Sequence, residues 1–214
     1  MDALRVGQHA LLVQCAEADD VVATYRTLRE HAAELGATEV VPAARTVLLD
    51  GLSDPDLALS LLADLLPAGE VGTASPQSAE VVLRTVYDGA DLDEVARQWQ
   101  TSTAEVVRLH QEAAFVVRFC GFAPGFAYCT GLPDGLSVAR RRDPRPSVPA
   151  GSVALAGEFT GVYPRASPGG WQLIGRTAAR LWRPETAQPA LLVPGTLVRF
   201  QAVLAGDPEV FGDD

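Results

Sequence analysis

Lysine is absent from all 214 residues, so each of the 17 cationic side chains is Arg. That absence excludes Schiff-base chemistry and a phosphate loop of the GxxxxGK[ST] kind within this chain. ATP, if it takes part, is not held here by such a loop. Cysteine and histidine are scarce: Cys15, Cys120 and Cys129, with His9, His31 and His110. Their spacing fits no metal motif, and no metal site is expected. Long apolar runs are missing too. The stretch Ala10–Val13 is too weak for a signal peptide, and nothing approaches the roughly 18 apolar residues of a membrane span. A cytoplasmic chain with reduced thiols is the expectation.

What is present is an acidic protein with one basic island. The net charge is −10 and the isoelectric point near 4.7, which argues against general nucleic-acid binding. Residues 118–183 hold nine Arg against three acids (Asp134, Asp143, Glu158), a balance of +6; the rest holds eight Arg against 24 acids, or −16. A positive island in a negative protein suits a small anionic ligand. The apolar fraction of 48% leaves ample material for a core.

Along the chain, residues 1–90 read as alternating strands and helices. Ala10–Cys15 suits a buried strand. Asp19 and Asp20 can cap a helix with Val22, Tyr25, Leu28, Ala32 and Leu35 on its apolar face, ended by Gly36. Glu39–Pro42 and Thr46–Leu49 follow as strands. Asp54 with Pro55 starts a second helix, and Ala79–Tyr87 returns to strand. The order β-α-β-β-α-β predicts a ferredoxin-like α/β domain. Residues 91–112 read as a two-helix connector with Asp91 and Thr101–Ser102 before its helices. It has a helix-turn-helix outline, but residues 91–117 carry five acids against two Arg, the wrong sign for a phosphate backbone. From 113 to 205, short strands broken by Gly and Pro predict a β-barrel or sandwich, followed by an acidic tail at 206–214. The overall class is α+β.

Within the basic island, Gly121, Pro124, Gly125 and Gly131 surround Phe122, Phe126 and Tyr128. They describe either a stiff loop walling a pocket or a barrel corner over core aromatics. Arg140, Arg141, Arg142 and Arg145 cluster beside Asp143; Arg suits carboxylate or phosphate, but four neighbours cannot all face one ligand. A solvated face and an acidic docking surface are the alternatives. Pro149-Ala-Gly151-Ser152 and Ser167-Pro-Gly169-Gly170 each set a hydroxyl beside glycine amides, and Gly175-Arg176-Thr177 follows, which fits an anion-binding groove. Neither Ser152 nor Ser167 sits in GxSxG; a hydrolase would need a distant base, with His110 the candidate. Tyr163 and Asp134 are further proton-transfer candidates.

The stretches GFAPGFAYCTGL from Gly121, RRDPRPSVPAGSVALAGEFTGVYP from Arg141 and SPGGWQLIGRT from Ser167 resemble the family of the 5-oxoprolinase B subunit, allophanate hydrolase subunit 1 and KipI-like proteins. The likeness covers the chain broadly, including Tyr87–Gly89. It implies a small N-terminal α/β domain followed by a cyclophilin-like β-barrel. It further implies work with a larger C-type companion and a third subunit, opening 5-oxo-L-proline to L-glutamate with ATP hydrolysed by the complex. Two other roles occur in the family: inhibition of a sensor histidine kinase, and a carboxyltransferase component related to urea carboxylase. Among the motif positions that the resemblance covers, the chemistry of the side chains marks Ser152, Tyr163 and Arg176 as the catalytic candidates. Gly125, Arg141, Arg145, Gly151, Ser167, Gly169, Gly170, Trp171 and Thr177 are the expected anion-binding residues among the same positions. Trp171 would support the wall. The chain departs from the family pattern at Ala127, at Cys129-Thr130, at Ala139 and at Phe159, where a Gln is common.

Overall fold

A computed structural model of the chain describes residues 2–17, 20–66 and 80–206. The chain divides into two compact units, Met1–Gln77 and Ser78–Asp214.

The first unit holds β1 (Asp2–Val6), β2 (Ala10–Gln14), α1 (Asp20–Glu30), β3 (Glu39–Pro42), β4 (Thr46–Asp50) and α2 (Pro55–Leu65). Its sheet is antiparallel throughout, in the order β1-β2-β4-β3. Strand β4 therefore lies between β2 and β3, which α1 connects: the split βαβ of a ferredoxin-like sheet. Alternate residues on one face, Leu11, Val13, Val47 and Leu49, meet Val21, Tyr25 and Leu28 of α1 and Ala58 and Leu62 of α2 in one buried core. Helix α2 begins where its sequence says. The Asp54 carboxylate accepts from the Asp56 and Leu57 N–H groups, with Pro55 in the first turn. Helix α1 stops at Glu30, short of the expected Leu35, and the chain turns through Gly36 at φ +68°. The proposed Asp19 cap and the acidic tail after Gly206 lie outside the described residues.

The second unit comprises β5 (Glu80–Thr85), α3 (Leu92–Gln98), α4 (Thr103–Glu112), β6 (Phe115–Cys120), β7 (Ala127–Thr130), β8 (Arg145–Val148), β9 (Ser152–Ala156), β10 (Phe159–Val162), β11 (Ser167–Gly169), β12 (Gln172–Arg176) and β13 (Leu197–Ala202). Seven strands form one sheet in the order β12-β9-β10-β7-β6-β13-β5, and β8 pairs with β11 as a separate ribbon. The seven-stranded sheet curls nearly shut. Just beyond β5, Val86 exchanges two 2.9 Å backbone hydrogen bonds with Arg176 of β12.

One expectation is corrected here. The strand foreseen at Ala79–Tyr87 as the last of the ferredoxin-like domain runs parallel to β13 instead, from Glu80 opposite Leu197 to Thr85 opposite Ala202. In the first sheet, the edge beside β2 is taken by β1. A strand with apolar residues on both faces suits either position, and only the pairing decides it.

Strand β9 shows how the barrel makes room for a site. All five of its residues are buried. Val153 and Leu155 join the barrel interior with Phe115, Ile174, Val198 and Phe200, and Val95 and Val106 reach the same interior from α3 and α4. Ala154 and Ala156 face the other way, into a second cluster with Phe126, Val148, Tyr163, Trp171 and Leu173. Large residues fill the interior, and small ones leave space for an aromatic layer outside.

Candidate functional site

A cavity of about 260 Å³ opens over that aromatic layer, lined by Phe122, Phe126, Tyr128, Arg140, Pro144, Tyr163, Pro168, Gly169, Gly170 and Trp171. Phe126 sits edge-on to Trp171 at 5.3 Å and to Tyr163 at 5.4 Å, and Tyr128 edge-on to Trp171 at 5.5 Å. Two glycines make this packing possible. A Cβ on Gly161 would come within 3.2 Å of both the Phe126 and Trp171 rings, and one on Gly169 would lie 2.2 Å from the Tyr163 hydroxyl. Burial raises the pKa of the Tyr163 phenol; the Trp171 backbone N–H that it accepts and the Arg140 charge pull the other way. Tyr128 is likewise raised by burial and opposed by Arg140.

Arg140 brings the charge to this wall. Among the described residues it has no carboxylate within ion-pair reach. Its neighbours in the chain are fixed on both sides. The Ala139 N–H donates to Gln98 Oε1 at 2.8 Å, and its carbonyl accepts from Gln172 Nε2 at 3.0 Å. The Arg141 N–H donates to the Gly170 carbonyl at 2.8 Å. Arg140 thus projects from a segment clamped before and after it.

Arg141 and Arg145, expected to hold a ligand, are both paired with Asp91. Arg141 Nη1 lies 2.9 Å from Asp91 Oδ1; Arg145 Nη1 and Nη2 each lie 2.8 Å from a separate Asp91 oxygen. The Leu173 N–H donates to the same carboxylate at 2.7 Å. Asp91 is 4% exposed. Burial would raise its pKa, but the Arg145 hydrogen bond, the Leu173 N–H and the two guanidinium charges outweigh that and hold it below the usual carboxylate value. Asp91 precedes α3, but its side chain makes no cap hydrogen bond to that helix.

The structure therefore brings Tyr163, Gly169, Gly170 and Trp171 to the cavity wall and leaves other expected residues elsewhere. Ser152 lies opposite Arg176 in the β9–β12 register. Gly151, at φ +79°, abuts the Thr177 carbonyl, and Thr177 N–H donates to the Gly151 carbonyl. Arg176 Nε pairs with Asp88 at 2.9 Å, both side chains being nearly half exposed. Gly125 packs against Leu181 and Trp182. Ser167 sits opposite Val148 in the ribbon, its Oγ buried without a hydrogen-bond partner. Asp134 lies in an exposed turn away from the cavity lining.

His110 does not serve Ser152. It is fully buried among Phe115 and Phe200, with Nδ1 2.8 Å from the Tyr87 hydroxyl and Nε2 2.9 Å from Thr160 Oγ1. Thr160 Oγ1 in turn donates to the Ala154 carbonyl, which leaves Nε2 as the donor and Nδ1 as the acceptor from Tyr87. Burial pushes the imidazole down to about 3, so it is neutral at ordinary pH. Both nitrogens are committed within the barrel.

Among the described residues no group of His, Cys, Asp and Glu could hold a metal ion, and no helix is long and apolar enough to cross a membrane. Phe159, which stands where the family often has Gln, packs edge-on to Phe119 and Tyr128.

A two-unit α+β chain, with a cyclophilin-like barrel carrying an aromatic, Arg-edged pocket, falls in the class of carboxyltransferase-type domains. The chain belongs to the carboxyltransferase domain family, subdomain C and D, which matches residues 1–192. It is 43% identical over 166 residues to the B subunit of 5-oxoprolinase from Escherichia coli O157:H7, covering 76% of each chain. It is also similar to the crystal structure of TTHA0988, at 31% identity and a TM-score of 0.76, covering 94% of this chain and 41% of that one. The chain thus spans well under half of that larger protein. The Kluyveromyces lactis urea carboxylase shares the fold at 18% identity and a TM-score of 0.70, over 98% of this chain and 22% of that one.

Proposed function

We propose that this chain is the B-type component of an ATP-dependent 5-oxoprolinase, active with a C-type companion and a third subunit. The assembly would open 5-oxo-L-proline to L-glutamate while ATP is hydrolysed to ADP and phosphate. The observation that carries this reading is the 43% identity, over three quarters of both chains, to a protein named as the B subunit of 5-oxoprolinase. The cavity supports it chemically. Its aromatic walls suit one flat, compact ring, and Arg140 at the rim suits the carboxylate that such a ring would carry.

In this reading the roles move from Arg141, Arg145 and Arg176 to Arg140. Arg141 and Arg145 become positioning residues, which hold the Arg140 segment through Asp91. Tyr163, with its raised pKa, stays a protonated donor beside Gly169. Ser152, Gly151 and Thr177 brace the strand ends behind the pocket.

The test uses the chain co-expressed and purified with its two companions, following 5-oxoproline-dependent ADP release. Arg140→Ala is expected to raise KM for 5-oxoproline by roughly 10- to 100-fold, the worth of a charge-assisted hydrogen bond, without changing the thermal midpoint. An unchanged KM would remove the pocket from the reading. The family description favours one second reading, carboxyl transfer. A complex that ignores 5-oxoproline but carboxylates an amide acceptor would establish it.

A further inference from the structure

Among the described residues, two other than glycine have a positive φ, Gln100 at 53° and Phe122 at 66°. Gln100 is explained by its position. It follows the end of α3, where the Thr101 N–H returns to the Ala96 carbonyl, the ordinary left-handed exit from a helix. Phe122 has no such excuse. The Ala123 N–H donates to the Gly121 carbonyl at 2.7 Å, which places Phe122 at the centre of a three-residue γ-turn of the rare, positive-φ kind. A side chain with a Cβ is strained there.

The loop around this turn is rigid. Phe126 N–H donates to the Ala123 carbonyl at 2.9 Å across Pro124 and Gly125, whose φ of +83° gives a tight second turn. Gly121 N–H closes the base on the Phe126 carbonyl at 3.2 Å. Glycine stands on both sides, at 121 and 125, so a chain that needed only the turn would set glycine at 122 as well.

Burial does not account for the aromatic. Phe122 is 61% exposed, more than any other aromatic residue described. Its ring lines the cavity, edge-on to Phe126 at 5.4 Å and to Tyr163 at 6.3 Å, so one face is left uncovered. Strain at a residue whose ring stays mostly exposed, touching the buried aromatic layer only edge-on, is characteristic of a side chain presented to a ligand.

We propose that Phe122 is a specificity-determining residue: its strained backbone holds the ring as a flat wall against the planar lactam of the substrate, opposite the carboxylate held by Arg140. This inference rests on the reading of the cavity as the 5-oxoproline site.

The test compares Phe122→Gly, Phe122→Ala and Phe122→Tyr in the assembled complex, with Arg140→Ala alongside. Phe122→Gly relieves the turn and removes the ring. It is expected to keep or raise the thermal midpoint while raising KM for 5-oxoproline about tenfold, with kcat within about twofold of wild type. Phe122→Ala is expected to raise KM equally while lowering the thermal midpoint relative to Phe122→Gly. Phe122→Tyr is expected to keep KM near wild type. A wild-type KM in Phe122→Gly, beside a raised KM in Arg140→Ala, would overturn the Phe122 assignment alone. Wild-type KM in both variants would overturn the pocket reading, and a wild-type complex inert toward 5-oxoproline would overturn both. A midpoint that falls on Phe122→Gly, with KM restored by no aromatic, would reduce Phe122 to a packing residue.

Discussion

Asp91 engages two of the four neighbouring Arg residues of the basic island, Arg141 and Arg145. A carboxylate buried with two guanidinium groups and one peptide N–H is satisfied, and removing it would leave those donors facing each other. Asp91→Ala is expected to destabilise the second unit by about 3 kcal/mol at pH 7, read by urea denaturation. The pH dependence has a definite sign. Because the folded pKa of Asp91 is depressed, its stabilisation is complete above the unfolded carboxylate value near 4 and disappears as pH falls through the folded value. The gap between wild type and Asp91→Ala should therefore close on acidification from pH 5 toward pH 2. A gap that stayed constant would show that the carboxylate charge contributes nothing. At this scale the sequence was half legible. The glycines of SPGGW pointed to an anion-binding groove, while the aromatics of GFAPGFAY read equally as a pocket wall or as a barrel corner over a core. The choice among Arg140, Arg141 and Arg145 was not legible, because chemically identical side chains were sorted by a carboxylate 50 and 54 residues away for the latter two.

Among the elements, the seam between the segment after β5 and strand β12 holds the barrel together. Backbone approaches backbone there so closely that side chains are excluded. A Cβ on Gly175 would lie 2.5 Å from the Val86 carbonyl oxygen, and one on Gly89 2.3 Å from the backbone of Leu173 and Ile174. Gly175→Ala is expected to cost about 1–3 kcal/mol, since the obstacle is peptide and cannot rotate away. Thermal unfolding checks this, and a variant as stable as wild type would mean the seam is open in solution. Helix starts at Asp54–Pro55 and Ser102 were readable because a cap is a local interaction, completed within three residues. The partner of β5 was not readable, since β13 is remote in the chain and nothing in Glu80–Thr85 specifies it.

For the molecule as a whole, the expected boundary at residue 90 gives way to one between Gln77 and Ser78. A fragment of residues 78–214 is expected to unfold cooperatively, with a single thermal transition. A fragment beginning at Asp91 should lack β5 and the Val86 closure, and show a lower midpoint or none. Equal midpoints for the two fragments would show that β5 is dispensable to the barrel. The class and order of the two folds were legible from the change in periodicity near Ala113, which depends on composition over long stretches and not on any single pairing.

Strand β13, the last in chain order among the described strands, sits between β5 and β6, two that emerge from the ribosome much earlier. During synthesis those two must wait with open hydrogen-bonding edges until translation passes Ala202. A message broken a little upstream would then yield a product able to recruit strands from its neighbours, and quality control has a specific hazard to meet here.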